Sequence, residues 1–132
     1  MIILDSDVLI TIIDKKTQLG DMILDYLEKH NEEKVTTALN LEEVLFGIFK
    51  RTGRKKLRND HPILNFSILS FTKEDATLAA QIELEMEKKG KKKPRGDVLI
   101  AAIACRVGGK LFTLNNKHFR DIPKLKLLDL KK

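Results

Sequence analysis

Apolar residues run along this chain in short blocks, each punctuated by one or two acidic residues or by glycine. Met1-Ile2-Ile3-Leu4 is a short apolar run suited to a buried strand. Val8 to Ile13 is apolar again, and Leu19, Met22, Ile23, Tyr26 and Leu27 recur at helical spacing within Gln18 to Lys29. Lys34 to Leu39 is β-branched and predicts a second strand. Leu41, Val44, Leu45 and Ile48 fall at i, i+3, i+4 and i+7, so a helix is predicted from near Asn40. Phe66 to Phe71 predicts a third strand and Lys73 to Lys89 a long helix, ended by Gly90. Asp97 to Val107 is almost wholly apolar and predicts a helix buried on most sides. Gly108-Gly109 stops it, Lys110 to Leu114 predicts a fourth strand, and Leu125 to Leu130 a fifth. Alternating strands and helices predict an α/β domain, a central and mainly parallel sheet of four to five strands covered on both faces. With no internal repeat and no linker rich in Pro, Gly or Ser, residues 1–132 read as one domain.

Composition narrows the class. A chain of 132 residues, 42% hydrophobic and 33% charged, buries about two-thirds of its surface and needs no disulfide or structural metal to fold. Its single cysteine, Cys105, excludes a disulfide framework and a Cys-rich zinc site, and its place in the apolar helix predicts a buried, inert thiol. No apolar run is long enough to span a bilayer, and the N-terminal stretch is broken by Asp5 and Asp7 without a basic leader. The expectation is a cytoplasmic protein that does not engage a membrane. Trp is absent and aromatics make up 5%, which argues against a base-stacking platform.

The net charge of +6 hides an uneven distribution. Lys50 to Arg58 and Lys88 to Arg95 each hold six basic residues and no acid, leaving 13 basic against 19 acidic residues elsewhere. Two cationic strips on an acidic body suit a polyanion such as nucleic acid. Solvated helix ends are the plainer account of the same strips.

The remaining chemistry lies at strand ends, where sites form in parallel sheets. Asp5 follows the first strand and Asp7 lies two residues on; Glu42 and Glu43 open the helix after the second. Asp97 leads the apolar helix, and Asn115 and Asn116 follow the fourth strand. Converging carboxylates repel unless a cation joins them, and hard oxygen donors select Mg²⁺ or Mn²⁺. Such a set suits metal-assisted phosphodiester hydrolysis. Each acid also has a structural role open to it. Asp5 or Asp7 can cap the helix at Val8, Asn40 with Glu43 has capping-box spacing, and Asp97 suits a helix first turn. Periodicity leaves Glu42 and Glu43 undecided. Thr72 with Asp75 is a capping-box pair outside any constellation, so Asp75 reads as structural. His30, His61 and His118 share no metal-ligand spacing; only His118 lies near a strand end, where a surface or packing role is expected. Neither GxGxxG nor a Walker A pattern occurs.

The blocks ILDSDVLI, TTALNLEEVLFGI and GDVLIAAIACRVGGKLFTLNNKHFRDIP, in this order, resemble the PIN-domain ribonucleases, especially VapC-like toxins of toxin–antitoxin pairs. The resemblance spans nearly the whole chain and implies a three-layer α/β/α domain that cleaves RNA with Mg²⁺ or Mn²⁺. It matches Asp5, Glu43 and Asp97 to the family's metal-binding acids, with Glu43 four residues before Gly47. The variable fourth acidic place, after strand four, is held by Asn115, whose amide oxygen binds a metal without adding charge. Asp7 stands where the family often has Asn and can restore that charge, and Thr113 matches a hydroxyl residue that orients a carboxylate or water. Arg51, Arg54, Lys55, Lys92, Lys93 and Arg95, from the two strips, are the expected RNA-binding residues. The resemblance also implies a homodimer and a small cognate antitoxin, for which Phe46 and Phe49 offer a contact. A non-catalytic RNA-binding PIN domain is the competing expectation. A phospho-receiver fits poorly, because Phe71-Thr72-Lys73 stands where its acceptor aspartate belongs.

Overall fold

The computed structural model describes residues 1–13 and 17–130. Its centre is a parallel five-stranded sheet in the order β3-β2-β1-β4-β5. The strands are β1 (Ile2–Leu4), β2 (Lys34–Thr37), β3 (Ser67–Leu69), β4 (Lys110–Phe112) and β5 (Lys126–Leu128). Helices α1 (Ser6–Ile13) and α2 (Gln18–Glu28) join β1 to β2, and α3 (Ala38–Thr52) with a short 3-10 turn at Pro62–Asn65 leads to β3. Helices α4 (Lys73–Lys88) and α5 (Arg95–Val107) lead to β4, and α6 (Asn116–Phe119) to β5. The expected alternation and parallel sheet are present; each strand is shorter at its ends than the apolar pattern predicts.

Side-chain alternation divides the core into two. Ile2 and Leu4 face α1, α2 and α3 together with Phe112, Val8, Ile23 and Val44. Ile3 and Leu111 point the other way, against Ala79, Ile82 and Met86 of α4 and Ile100, Ala101, Ala102 and Ala104 of α5. This is the α/β/α sandwich, and a one-residue slip of β1 would exchange its faces. All three β1 residues are fully buried, each worth about 1.5–3 kcal/mol of transfer free energy.

Two details place the site. Gly108 caps α5 with φ 68°, and a Cβ on Gly109 would stand 2.9 Å from Ile3 Cδ1, so a larger residue there would have to displace the Ile3 side chain where β4 enters beside β1. Thr37 is the N-cap of α3, its hydroxyl accepting from the Asn40 N–H at 3.1 Å. The helix therefore starts at Ala38 rather than near Asn40, and the Asn40–Glu43 capping box does not form. Likewise α1 starts at Ser6, so Asp7 lies inside its first turn. The Thr72–Asp75 capping box does form, and Asp75 is fully buried beneath Arg106, 2.5 Å away, which ties α4 to α5. Cys105 is half-exposed rather than buried; partial burial still pushes its thiol pKa up, keeping it protonated.

Candidate metal and nucleic-acid site

The carboxyl ends of β1, β2 and β4 lie side by side, so the residues leaving them share one edge of the sheet. Asp5 sits at its centre and is buried. Its Oδ1 accepts from the Ser6 N–H at 2.9 Å and the Asn40 Nδ2 at 2.8 Å, and its Oδ2 accepts from the Thr113 hydroxyl at 2.7 Å. Three segments far apart in sequence thus aim one carboxylate.

Asn40 extends this into a network. Its second Nδ2 hydrogen goes to Ser6 Oγ at 2.9 Å, and that hydroxyl donates to Glu43 Oε1 at 2.9 Å. Thr37 Oγ1 donates to the Asn40 amide oxygen at 2.7 Å. Every hydrogen is assigned, so Asp5 and Glu43 are both held as acceptors at a fixed separation. Glu43 rather than Glu42 faces Asp5; Glu42 instead borders a depression lined by Leu41, Leu45, Phe46 and Phe49.

Asp7 reaches across to the exit of β4, accepting from the Leu114 N–H at 3.1 Å and from Thr113 Oγ1 at 3.3 Å. Asp97, in the first turn of α5, faces His118 of α6, with His118 Nδ1 3.4 Å from its Oδ2. Asn115 is exposed, its N–H donates to Thr113 Oγ1 at 3.1 Å, and it has no side-chain capping bond.

The electrostatics are those of crowded acids. Burial, reinforced by the charge of Asp5, raises the Asp7 carboxyl above its ordinary pKa. Burial also raises Glu43, aided by Asp5 and Asp97, while Ser6 opposes the shift. Asp97 is raised by burial and by Asp5, against the lowering influence of His118 and Lys93. Among the described residues, three buried side-chain oxygens lack a hydrogen-bond partner: Asp7 Oδ1, Asp97 Oδ2 and Asn116 Oδ1. All three belong to segments bordering this edge, and buried acceptors ordinarily find a donor or a cation. The donor set is hard oxygen, as Mg²⁺ and Mn²⁺ require. No three His, Cys, Asp or Glu side chains among the described residues are gathered tightly enough to enclose an ion unaided. The fit to a divalent ion rests on the oxygen donors and their unpartnered atoms, not on a preassembled cage.

The two basic strips differ. Arg51, Arg54 and Lys55 line a groove of about 990 Å³ with Lys56, Arg58 and the apolar Ile13, Ile48 and Leu57. In the second strip acids already engage the cations: Lys93 lies 3.6 Å and Lys91 3.8 Å from Asp121, and Arg95 3.3 Å from Glu83. Lys92 is exposed. Phe46 is 62% exposed with Lys50 Nζ 5.9 Å from its ring centre, while Phe49 is half-buried. Sequence reasoning overlooked Ser6 and read Asn40 only as a cap, although both sit beside the acids it chose.

A parallel α/β sandwich with its acids gathered where strand order reverses defines a class of domain built to work at that edge. The PIN domain family model matches residues 2–125, and the chain belongs to that family. No curated protein matches the chain. Among solved structures it is similar to a chain of VapBC2 from Rickettsia felis bound to a promoter DNA fragment, at 26% identity, TM-score 0.76, covering 97% of this chain and 98% of that one. It shares its fold with chains of DNA-bound VapBC from Salmonella typhimurium (23% identity, TM-score 0.83, 98% and 97% covered). The same holds for FitAcB from Neisseria gonorrhoeae (23%, TM-score 0.82, 99% of each chain).

Proposed function

We propose that this protein is a Mg²⁺- or Mn²⁺-dependent endoribonuclease acting as the toxin of a toxin–antitoxin pair. The observation that carries the reading is the convergence of Asp5, Glu43 and Asp97 from three separate segments, with two of them raised by burial and mutual repulsion. Membership of the PIN family and similarity to VapBC assemblies support the toxin assignment. Asp5, Glu43 and Asp97 hold the ion, and Asp7 and Asn115 border it. A divalent ion bound there would supply the activation of water and the stabilisation of the leaving oxygen. Thr113 keeps Asp5 and Asp7 in place through its hydroxyl. Arg51, Arg54 and Lys55 bind the phosphate backbone most strongly, because Lys93 and Arg95 are already paired; Lys92 adds an exposed cation.

The chain works as one domain. It forms a homodimer and meets its antitoxin through exposed apolar surface that includes Phe46 and Phe49. No helix among the described residues is long and apolar enough to cross a membrane. The proposed site of action is the cytoplasm, where RNA is met. A second reading, an RNA-binding PIN domain without hydrolysis, is favoured by Asn115, which supplies no charge at the fourth acidic place.

Incubating the purified protein with a mixed RNA pool in Mg²⁺, Mn²⁺ or EDTA, beside Asp5→Asn and Asp97→Asn, separates the two. Metal-dependent cleavage lost in both variants is expected. Salt-sensitive RNA binding without cleavage, unchanged in both variants, contradicts the nuclease and supports the binding module.

A further inference from the structure

Asp97 Oδ2 is buried, and the imidazole of His118 beside it makes a long ion-pair contact rather than a hydrogen bond of good geometry. His118 Nδ1 is 3.4 Å away, outside the 2.7–3.2 Å range of an N–H···O hydrogen bond. Two donors converging on one ion with bonds of 2.0–2.1 Å are separated by about 3.0 Å in octahedral and about 3.4 Å in tetrahedral geometry. The observed 3.4 Å lies within about 0.4 Å of both, so a small side-chain movement brings the two atoms onto one ion.

The backbone under His118 is anchored. Phe119 is buried in the α4–α5 side of the core, and the His118 N–H donates to the Asn115 carbonyl at 3.0 Å. The ring itself is half-exposed and free of any backbone partner among the described residues. The other two imidazoles are engaged locally. His30 Nδ1 lies 2.8 Å from the Tyr26 carbonyl, and His61 Nδ1 accepts from the Ile63 N–H at 3.2 Å.

We propose that His118 joins Asp97 as a ligand of the divalent ion, adding one imidazole nitrogen to an otherwise all-oxygen set. This rests on the metal site of the proposed function and specifies which ion it takes. Imidazole favours first-row transition ions, whereas Mg²⁺ keeps to oxygen. The chain therefore prefers Mn²⁺ and its heavier neighbours to Mg²⁺.

Electron spin-echo spectroscopy of Mn²⁺ bound to the full chain reads the ligand directly, because a coordinated imidazole nitrogen modulates the echo. The nitrogen modulation is expected in the native protein and is lost in His118→Ala and in His118→Gln, both at an exposed ring that folding does not need. Competition between Mn²⁺ and Mg²⁺ is expected to show the preference for Mn²⁺ falling about tenfold in His118→Ala, or about 1.4 kcal/mol. Mn²⁺ that binds, is lost in Asp5→Asn, and shows no nitrogen modulation overturns the role of His118 while leaving the metal site intact. Absence of Mn²⁺ binding altogether overturns both.

Discussion

Replacing Asn40 with alanine tests whether the acids are held by the network rather than merely placed by the fold. The side chain is fully buried and makes three hydrogen bonds of its own: to Asp5 Oδ1, to Ser6 Oγ, and from Thr37 Oγ1. A hydrogen bond to a charged group contributes about 1.5–3 kcal/mol and a neutral one about 0.5–1.5 kcal/mol, so the summed loss is about 2.5–6 kcal/mol. The bond from the Asn40 N–H to Thr37 survives because it uses the backbone, so the α3 cap remains. Ser6→Ala removes only the Asn40–Ser6 and Ser6–Glu43 links and costs about 2–4.5 kcal/mol, towards the lower end because Glu43 is exposed. Urea unfolding in EDTA measures both, with Asn65→Ala at an exposed position as a control expected within about 0.5 kcal/mol of the native protein. Mn²⁺ affinity measured on the folded variants should fall in the same order. An Asn40→Ala protein as stable as the control, or one that binds Mn²⁺ as tightly as the native chain, refutes the network argument.

Three further outcomes follow from charge. Asp7, Glu43 and Asp97 have raised folded pKa values, so the native state binds more protons than the unfolded chain in the intervening window. Metal-free stability contributed by these groups therefore rises as pH falls from neutrality towards the ordinary carboxylate range near pH 4, and Asp97→Asn flattens that slope in denaturant titrations. Divalent metal reverses the relation, stabilising the native chain more at pH 7 than at pH 5 in thermal melts, with the increment lost in Asp97→Asn. Asp75 behaves oppositely: burial alone would raise it, but Arg106 and Thr72 hold it below the ordinary value, so its contribution is lost only as pH falls below about 4. Arg106→Ala, leaving that carboxylate with only its hydrogen bond from the Thr72 N–H, costs about 1–3 kcal/mol by urea unfolding at pH 7, less than a fully buried pair because Arg106 is partly exposed. Replacing Arg51, Arg54 and Lys55 by alanine reduces the salt slope of RNA binding by about 0.7 per lost phosphate contact, whereas Lys93→Ala and Arg95→Ala change it less.

Local pattern carried the fold because each strand is a short apolar or β-branched block and the two long helices before β4 have readable stops at Gly90 and Gly108. Asp5 and Asp97 stand out for the same reason: each is an isolated acid against an apolar run. Asn40 was misread because an Asn three residues before a Glu satisfies a capping rule, and nothing local shows that Thr37 already fills that role. The pairing of His118 with Asp97 spans 21 residues and depends on how α6 docks. Nor does sequence show that Asp121 and Glu83 occupy the cations of the second strip, since both acids lie on other elements.

Anomalous scattering from Mn²⁺ soaked into crystals of the native protein and of Asp5→Asn tests the central claim most directly. The account predicts a peak bounded by Asp5, Glu43 and Asp97 in the native crystals and none there in the variant. Saturating Mn²⁺ that leaves this edge without a peak, or an undiminished peak in Asp5→Asn, contradicts it.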